Sequence, residues 1–127
     1  MRQKQLAVIG STGSIGVQTL DIISEYPQLF RAAVLVGGSN VDLLEKQAMT
    51  HRPEKVVIAD ERGYSRLRDS LTPLGITVET GSKAVAEAAI SLPGIDTAVI
   101  ATVGYSGLEP TLKAIEHNNC LLYTSPS

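Results

Sequence analysis

Short apolar runs alternate with helical-period stretches along most of the chain. Leu6-Ala-Val-Ile9 is an unbroken apolar run, as a strand covered on both faces requires. Beyond Gly10, Gly13 and Gly16 the period changes, predicting a helix over about 14–26 with Ile15, Leu20, Ile22 and Ile23 as inward positions and Pro27 helping to end it. Phe30–Val36 reads as a second strand, Gly37-Gly38-Ser39-Asn40 as a turn, and Asn40 as the N-cap of the next helix. Val41, Leu43, Leu44, Gln47 and Ala48 carry that helix to about Arg52, where Pro53 stops it. Lys55–Ala59 is a third strand, and Asp60 or Glu61 opens a third helix through Leu67 and Leu71.

Pro73-Leu74-Gly75 breaks the pattern, Ile76–Glu79 reads as a short strand and Gly81-Ser82 as a turn. An alanine-rich helix over about 83–92 ends at Pro93-Gly94, and Asp96–Ala101 is a further apolar strand. The last helix spans about 108–117, with Pro110 in its first turn, where a missing N–H costs little. Strand and helix alternate, so the expected fold is α/β and Rossmann-like: doubly wound, with a mainly parallel sheet, helices on both faces and right-handed crossovers.

Composition narrows the function classes. A chain of 127 residues, 43% of them hydrophobic, suits one domain with a core. The net charge of −2, with four Tyr, one Phe and no Trp, disfavours a nucleic-acid partner. No apolar run reaches the ~18 residues of a membrane span. The N-terminus runs straight into a strand, leaving no room for a signal peptide, and Cys120 has no partner for an internal disulfide. A cytoplasmic location is expected.

Candidate chemistry centres on the glycines. Strand, glycine turn and helix in this order offer a pyrophosphate a close backbone and unpaired helix N–H groups. The spacing here is G-x-x-G-x-x-G, whereas the usual dinucleotide fingerprint is G-x-G-x-x-G, and Ser11 and Thr12 fill the middle of the turn. The bland alternative is a turn that binds nothing. NAD-binding folds commonly place an acid about 20 residues past the glycines to hold the ribose 2′-OH. The corresponding loop, Gly37–Asn40, has none, and its amides and short polar side chains suit a 2′-phosphate; its alternative role is a plain turn with an N-cap. Ala101-Thr102-Val103-Gly104 and Gly107 open toward the same sheet edge, and Thr111 and Lys113 of the following helix face solvent or a neighbouring domain. The turn lacks the G-K-[ST] ending of a P-loop. His51 and His117 stand far apart near helix ends and read as surface residues, Asp60-Glu61 as a helix start, and Cys120 as a buried strand residue.

Gly10-Ser-Thr-Gly-Ser-Ile-Gly16 followed by Thr19-Leu20-Asp21, then Gly37-Gly38-Ser39-Asn40, then Val103-Gly-Tyr-Ser-Gly-Leu-Glu-Pro-Thr-Leu-Lys-Ala-Ile115, together resemble the 1-deoxy-D-xylulose 5-phosphate reductoisomerase family. The resemblance implies an NADPH-dependent oxidoreductase of non-mevalonate isoprenoid biosynthesis. With Mg²⁺ or Mn²⁺ in the full-length enzyme, it converts its phosphorylated sugar substrate to 2-C-methyl-D-erythritol 4-phosphate. It implies that Thr12, Gly13, Ser14 and Ile15 surround the pyrophosphate and that Gly38, Ser39 and Asn40 meet the adenosine ribose and its 2′-phosphate. Many relatives carry Lys or Arg at the position of Ser39. It also implies a homodimer when full length.

The likeness ends near His117. Residues 1–117 are expected to form the NADPH-binding domain. In 118–127 the family's Leu-Ala-Asn-Lys-Glu run is replaced by Leu121-Leu-Tyr-Thr-Ser-Pro-Ser127, although Leu121 and Leu122 can still form part of a strand. The metal ligands, catalytic loop and C-terminal domain of the family are not found, so no catalytic or metal residue is assigned and the chain alone is expected to be inactive. Two other readings stay open: another NADP-dependent reductase, of semialdehyde dehydrogenase or dihydrodipicolinate reductase type, and a stand-alone nucleotide-sensing module.

Overall fold

The computed structural model describes residues 3–88, 95, 97–100 and 120–123. Among these residues six strands form one sheet: β1 (Lys4–Ile9), β2 (Phe30–Gly37), β3 (Lys55–Ile58), β4 (Thr77–Thr80), β5 (Thr97–Ile100) and β6 (Cys120–Tyr123). They lie in the order β4-β3-β2-β1-β5-β6, and every neighbouring pair is parallel. The chain steps outward from β1 to β4, then returns to the other side of β1 for β5 and β6. This reversal is the switch point at which doubly wound sheets bind ligands. Leu121 and Leu122 lie in β6, paired with Ala98 and Val99.

Among the described residues four helices cover the sheet: α1 (Ser14–Glu25), α2 (Val41–His51), α3 (Tyr64–Leu71) and α4 (Ser82–Glu87). The two-residue period of a strand sorts β1 between two cores. Leu6 and Val8 join Leu35, Val56 and Ile58 beneath Leu20 and Ile23 of α1, Leu44 and Ala48 of α2, and Leu67 and Leu71 of α3. Ala7 and Ile9 face the opposite way, with Val36, Val57 and Ala98, toward Ala84 and Val85 of α4. In β2 the register slips: Leu6 pairs with Ala32 but Ala7 with Val34. The extra residue is a bulge, and it leaves Ala33 and Val34 both in the second core.

Several boundaries differ from expectation for identifiable reasons. In α1 the buried stripe is Gly16, Leu20 and Ile23, spaced i, i+4, i+7. Ile22 falls off that stripe and is 53% exposed, which corrects its inward assignment. The third helix begins as a 3₁₀ turn, Glu61–Gly63, because Asp60 accepts from the Arg62 N–H and tightens the first turn. α2 closes with Arg52 in the left-handed region (φ 48°), its N–H donating to Ala48 O. No helix among the described residues is long and apolar enough to cross a membrane. The expected helix beyond Ala88 and its Pro93-Gly94 end, the loop at 101–104 with Gly107, and the helix at 108–117 with Thr111, Lys113 and His117 lie outside the described residues.

Candidate functional site

The glycine turn stands at the carboxyl end of β1, and β2 holds it. Gly10 N–H and Ser11 N–H both donate to Val36 O, at 2.8 and 2.9 Å. Gly13 N–H donates back to Gly10 O at 3.2 Å, and Val17 N–H to Gly13 O at 2.9 Å, which starts α1. Gly13 is the N-cap; it offers no side-chain cap, and the first turn contains no acid. The amides of Ser14, Ile15 and Gly16 precede the first helical donor, Val17 N–H, and have no intrahelical acceptor, so the positive end of the helix is left open. Gly13 and Ser14 are exposed, and Thr12 and Ile15 are half-buried.

The three glycines do different work. Gly10 sits at φ +89°, which L side chains rarely adopt. A Cβ on Gly16 would lie 2.1 Å from Gly10 O and 2.6 Å from Ser11 Cα, so this glycine lets α1 close onto the turn. A Cβ on Gly13 would meet only Gly10 O, at 3.6 Å, an ordinary contact. The turn therefore keeps the division of labour of the dinucleotide fingerprint — tight turn, open approach, close packing — on a different spacing. The Thr12 side chain lies over Gly37, its methyl 3.4 Å from where a Cβ there would stand.

That contact joins the turn to the Gly37–Asn40 loop at the end of β2. The loop is held through its backbone: Ala59 N–H donates to Gly37 O, Asp60 N–H to Gly38 O and Val41 N–H to Ser39 O, each at 2.9 Å. Asn40 Oδ1 accepts from Leu43 N–H at 3.2 Å, so the expected N-cap is present, and the two donor protons of Asn40 Nδ2 lie outside that bond. Gly38, Ser39 and Asn40 are exposed, and nothing stands within 4 Å of a Cβ on Gly38. Two nearby acids are paired: Asp42 with Arg66, and Asp60 with Arg62. Hydrogen bonds from the Arg62 side chain, and then from its backbone, hold the Asp60 carboxyl down at about 2. The structure thus brings Thr12, Gly13, Ser14 and Ile15 beside Gly38, Ser39 and Asn40 on adjoining strand ends.

Other candidates stand elsewhere. His51 ends α2 and is half-buried, not a surface residue as expected. It lines a concavity of about 210 Å³ between α1 and α2, with Leu20, Asp21, Leu43 and Lys46. Burial lowers its pKa and the Asp21 carboxylate partly opposes the shift. Among the described residues no three His, Cys, Asp or Glu side chains gather as a metal site would need. Three buried polar residues were missed from the sequence: Ser11, fully buried, Gln47, 8% exposed, and Lys55, which pairs with Glu79. Gln47 Nε2 donates to Ser11 O at 2.8 Å. The available signal was a glutamine on the apolar stripe of α2, beside Leu44 and Ala48.

The family model for 1-deoxy-D-xylulose 5-phosphate reductoisomerase matches residues 6–124. The chain belongs to this family. It is 52% identical over 114 residues to the reductoisomerase of Porphyromonas gingivalis, and 44% over 115 residues to that of Bacteroides fragilis. These matches cover 90% and 91% of the chain but only 29% of either relative, so the chain spans under a third of their length. Among solved structures, the reductoisomerase from Zymomonas mobilis in complex with NADPH superposes with a TM-score of 0.89 at 31% identity, covering 97% of this chain and 32% of that one. A reductoisomerase in complex with NADPH, fosmidomycin and magnesium gives 0.85 at 34%, covering 93% and 29%. The other-reductase and sensing-module readings are not favoured by these matches.

Proposed function

We propose that this chain is the NADPH-binding part of a 1-deoxy-D-xylulose 5-phosphate reductoisomerase. The observation that carries the reading is the uncapped, acid-free start of α1 at the sheet's switch point, beside an acid-free loop at the end of β2. Its support is the family match and the relatives solved with NADPH. The cofactor supplies hydride when bound. In this reading the Ser14 and Ile15 amides donate to the pyrophosphate, Gly13 leaves it room, and Thr12 holds the turn against the neighbouring loop. Gly38 gives the ribose a side-chain-free approach, while Ser39 Oγ and Asn40 Nδ2 donate to the 2′-phosphate.

In this reading the cofactor domain extends past the expected limit at 117 to take in β6, which completes the sheet and lies within the family match to residue 124, and the carbon rearrangement of the phosphorylated sugar and the Mg²⁺ or Mn²⁺ site belong to parts of the relatives that the chain does not span. Dimer formation and a cytoplasmic setting belong to the same proposal. The test is a titration of NADPH and NADH against the chain and against Ser39→Asp and Ser39→Arg. A hydrogen bond to a charged group contributes about 1.5–3 kcal/mol, or roughly tenfold to a hundredfold. NADPH is expected to bind more tightly, Ser39→Asp to erase the preference through like charge, and Ser39→Arg to widen it through a bidentate contact. Equal affinity for both nucleotides in all three proteins sinks the assignment of this loop.

A further inference from the structure

The glycine turn has a side-chain tie as well as its backbone bonds. Ser11 lies inside the turn with its backbone carbonyl directed into the protein, where it accepts from Gln47 Nε2 at 2.8 Å. Both residues are more than nine-tenths buried, so no bulk water competes for this bond. Ser11 Oγ and Gln47 Oε1 find no hydrogen-bond partner among the described residues, which leaves the Nε2–O bond as the hydrogen bond that the Gln47 amide makes there. Gln47 stands seven residues beyond Asn40, two helical turns along the same side of α2. One helix therefore carries the cap of the Gly37–Asn40 loop at its start and a strut to the glycine turn further along.

We propose that Gln47 is a positioning residue for the glycine turn, fixing it relative to the loop that α2 begins. The strut acts on Ser11 and so on the path of the backbone through Thr12 and Gly13. Without it, the turn is free to move off the Val36 carbonyl that Gly10 and Ser11 share. The consequence for nucleotide binding rests on the cofactor-site assignment above; the effect on the turn itself rests on the hydrogen bond alone. Both nucleotides present the same pyrophosphate, so losing the strut weakens NADPH and NADH by the same factor, whereas changes at Ser39 alter their ratio.

The test uses Gln47→Met, which keeps helix propensity and shape but removes the donor. Amide hydrogen exchange of the Ser11 and Gly13 N–H groups is compared with that of Val8 and Leu35 in the strands. Exchange at the turn is expected to quicken by about tenfold or more while the strands keep their protection, the mark of local opening. Dissociation constants for NADPH and NADH, measured well below the unfolding temperature, are expected to rise together by about fivefold as preorganisation is lost. Should the Met variant not fold, Gln47→Leu, also a good helix former and without a hydrogen-bond donor, takes its place. Unchanged exchange at Ser11 and Gly13 overturns the proposal, as does equal quickening at turn and strands, which marks global destabilisation. A change in the NADPH to NADH ratio overturns the shared-pyrophosphate consequence. If the unmodified chain binds neither nucleotide, the cofactor reading fails, and the exchange comparison still decides the role of Gln47.

Discussion

Alanine at Gly16 and alanine at Gly13 should separate packing from ligand approach, although the two residues lie three apart in one motif. At Gly16 the added carbon would stand 2.1 Å from Gly10 O, where carbon and carbonyl oxygen meet comfortably at about 3.3 Å. Helix and turn must then part by roughly 1 Å, and neither side can yield by turning a side chain, since Gly10 O and Ser11 Cα are backbone. Overpacking of this kind costs ~3 kcal/mol at the upper end of the usual range. Alanine returns about 1 kcal/mol of helix propensity, leaving ~2 kcal/mol of destabilisation, or a fall of about 8 °C in Tm for a chain of this size. At Gly13 the carbon meets Gly10 O at 3.6 Å and nothing else. The cost there is the poorer N-cap, about 0.5–1 kcal/mol, or 2–4 °C. NADPH affinity should fall at least about tenfold in Gly13→Ala, because a methyl then occupies the approach of the pyrophosphate. Thermal unfolding by circular dichroism and nucleotide titration at 20 °C below Tm read the two effects separately. A Gly16→Ala protein as stable as the parent refutes the packing argument; a Gly13→Ala protein that binds normally removes that glycine from the site.

Asn40→Ala should destabilise the chain by about 1 kcal/mol through loss of the α2 cap, read from the urea midpoint. His51 has a pKa below its unfolded value, chiefly because burial disfavours its charged form. Its neutral form is favoured in the folded state, so its contribution is present above about 6.5 and is lost as pH falls through the lower folded pKa. Urea unfolding at pH 7.5 and 5.5 should show a smaller acid loss in His51→Gln than in the parent; identical losses count against the burial argument. Purified chain given substrate, NADPH and Mg²⁺ should show no reductoisomerase turnover, and measurable product formation would place catalytic groups within these residues.

The periodicity carried most of the architecture. Four-residue runs such as Leu6–Ile9 can be buried on both faces only in a sheet covered by helices, and the alternation with helical stretches left few topologies. The two loops of the proposed site could be named from the sequence because glycine and the missing acid each have a physical meaning. The separate roles of Gly10, Gly13 and Gly16 were not, since spacing says nothing of which glycine faces a helix and which faces open space. Ile22 was misplaced because one position along a helix turns the side chain by about 100°, enough to leave the buried stripe. Gln47 was counted as part of a helix but not as a strut, because its partner is a backbone carbonyl, which every residue carries and no sequence marks.

The loop after β2 is built almost wholly from bonds that any sequence could make. Amides of Ala59, Asp60 and Val41 grip the carbonyls of Gly37, Gly38 and Ser39, and none of these bonds involves the side chain at position 39. Whatever stands there, the chain path is retained. If the proposed role of Ser39 holds, position 39 is a dial that a protein engineer can turn between hydroxyl, acid and base at little cost to folding, because the bonds that set the loop's path do not pass through it.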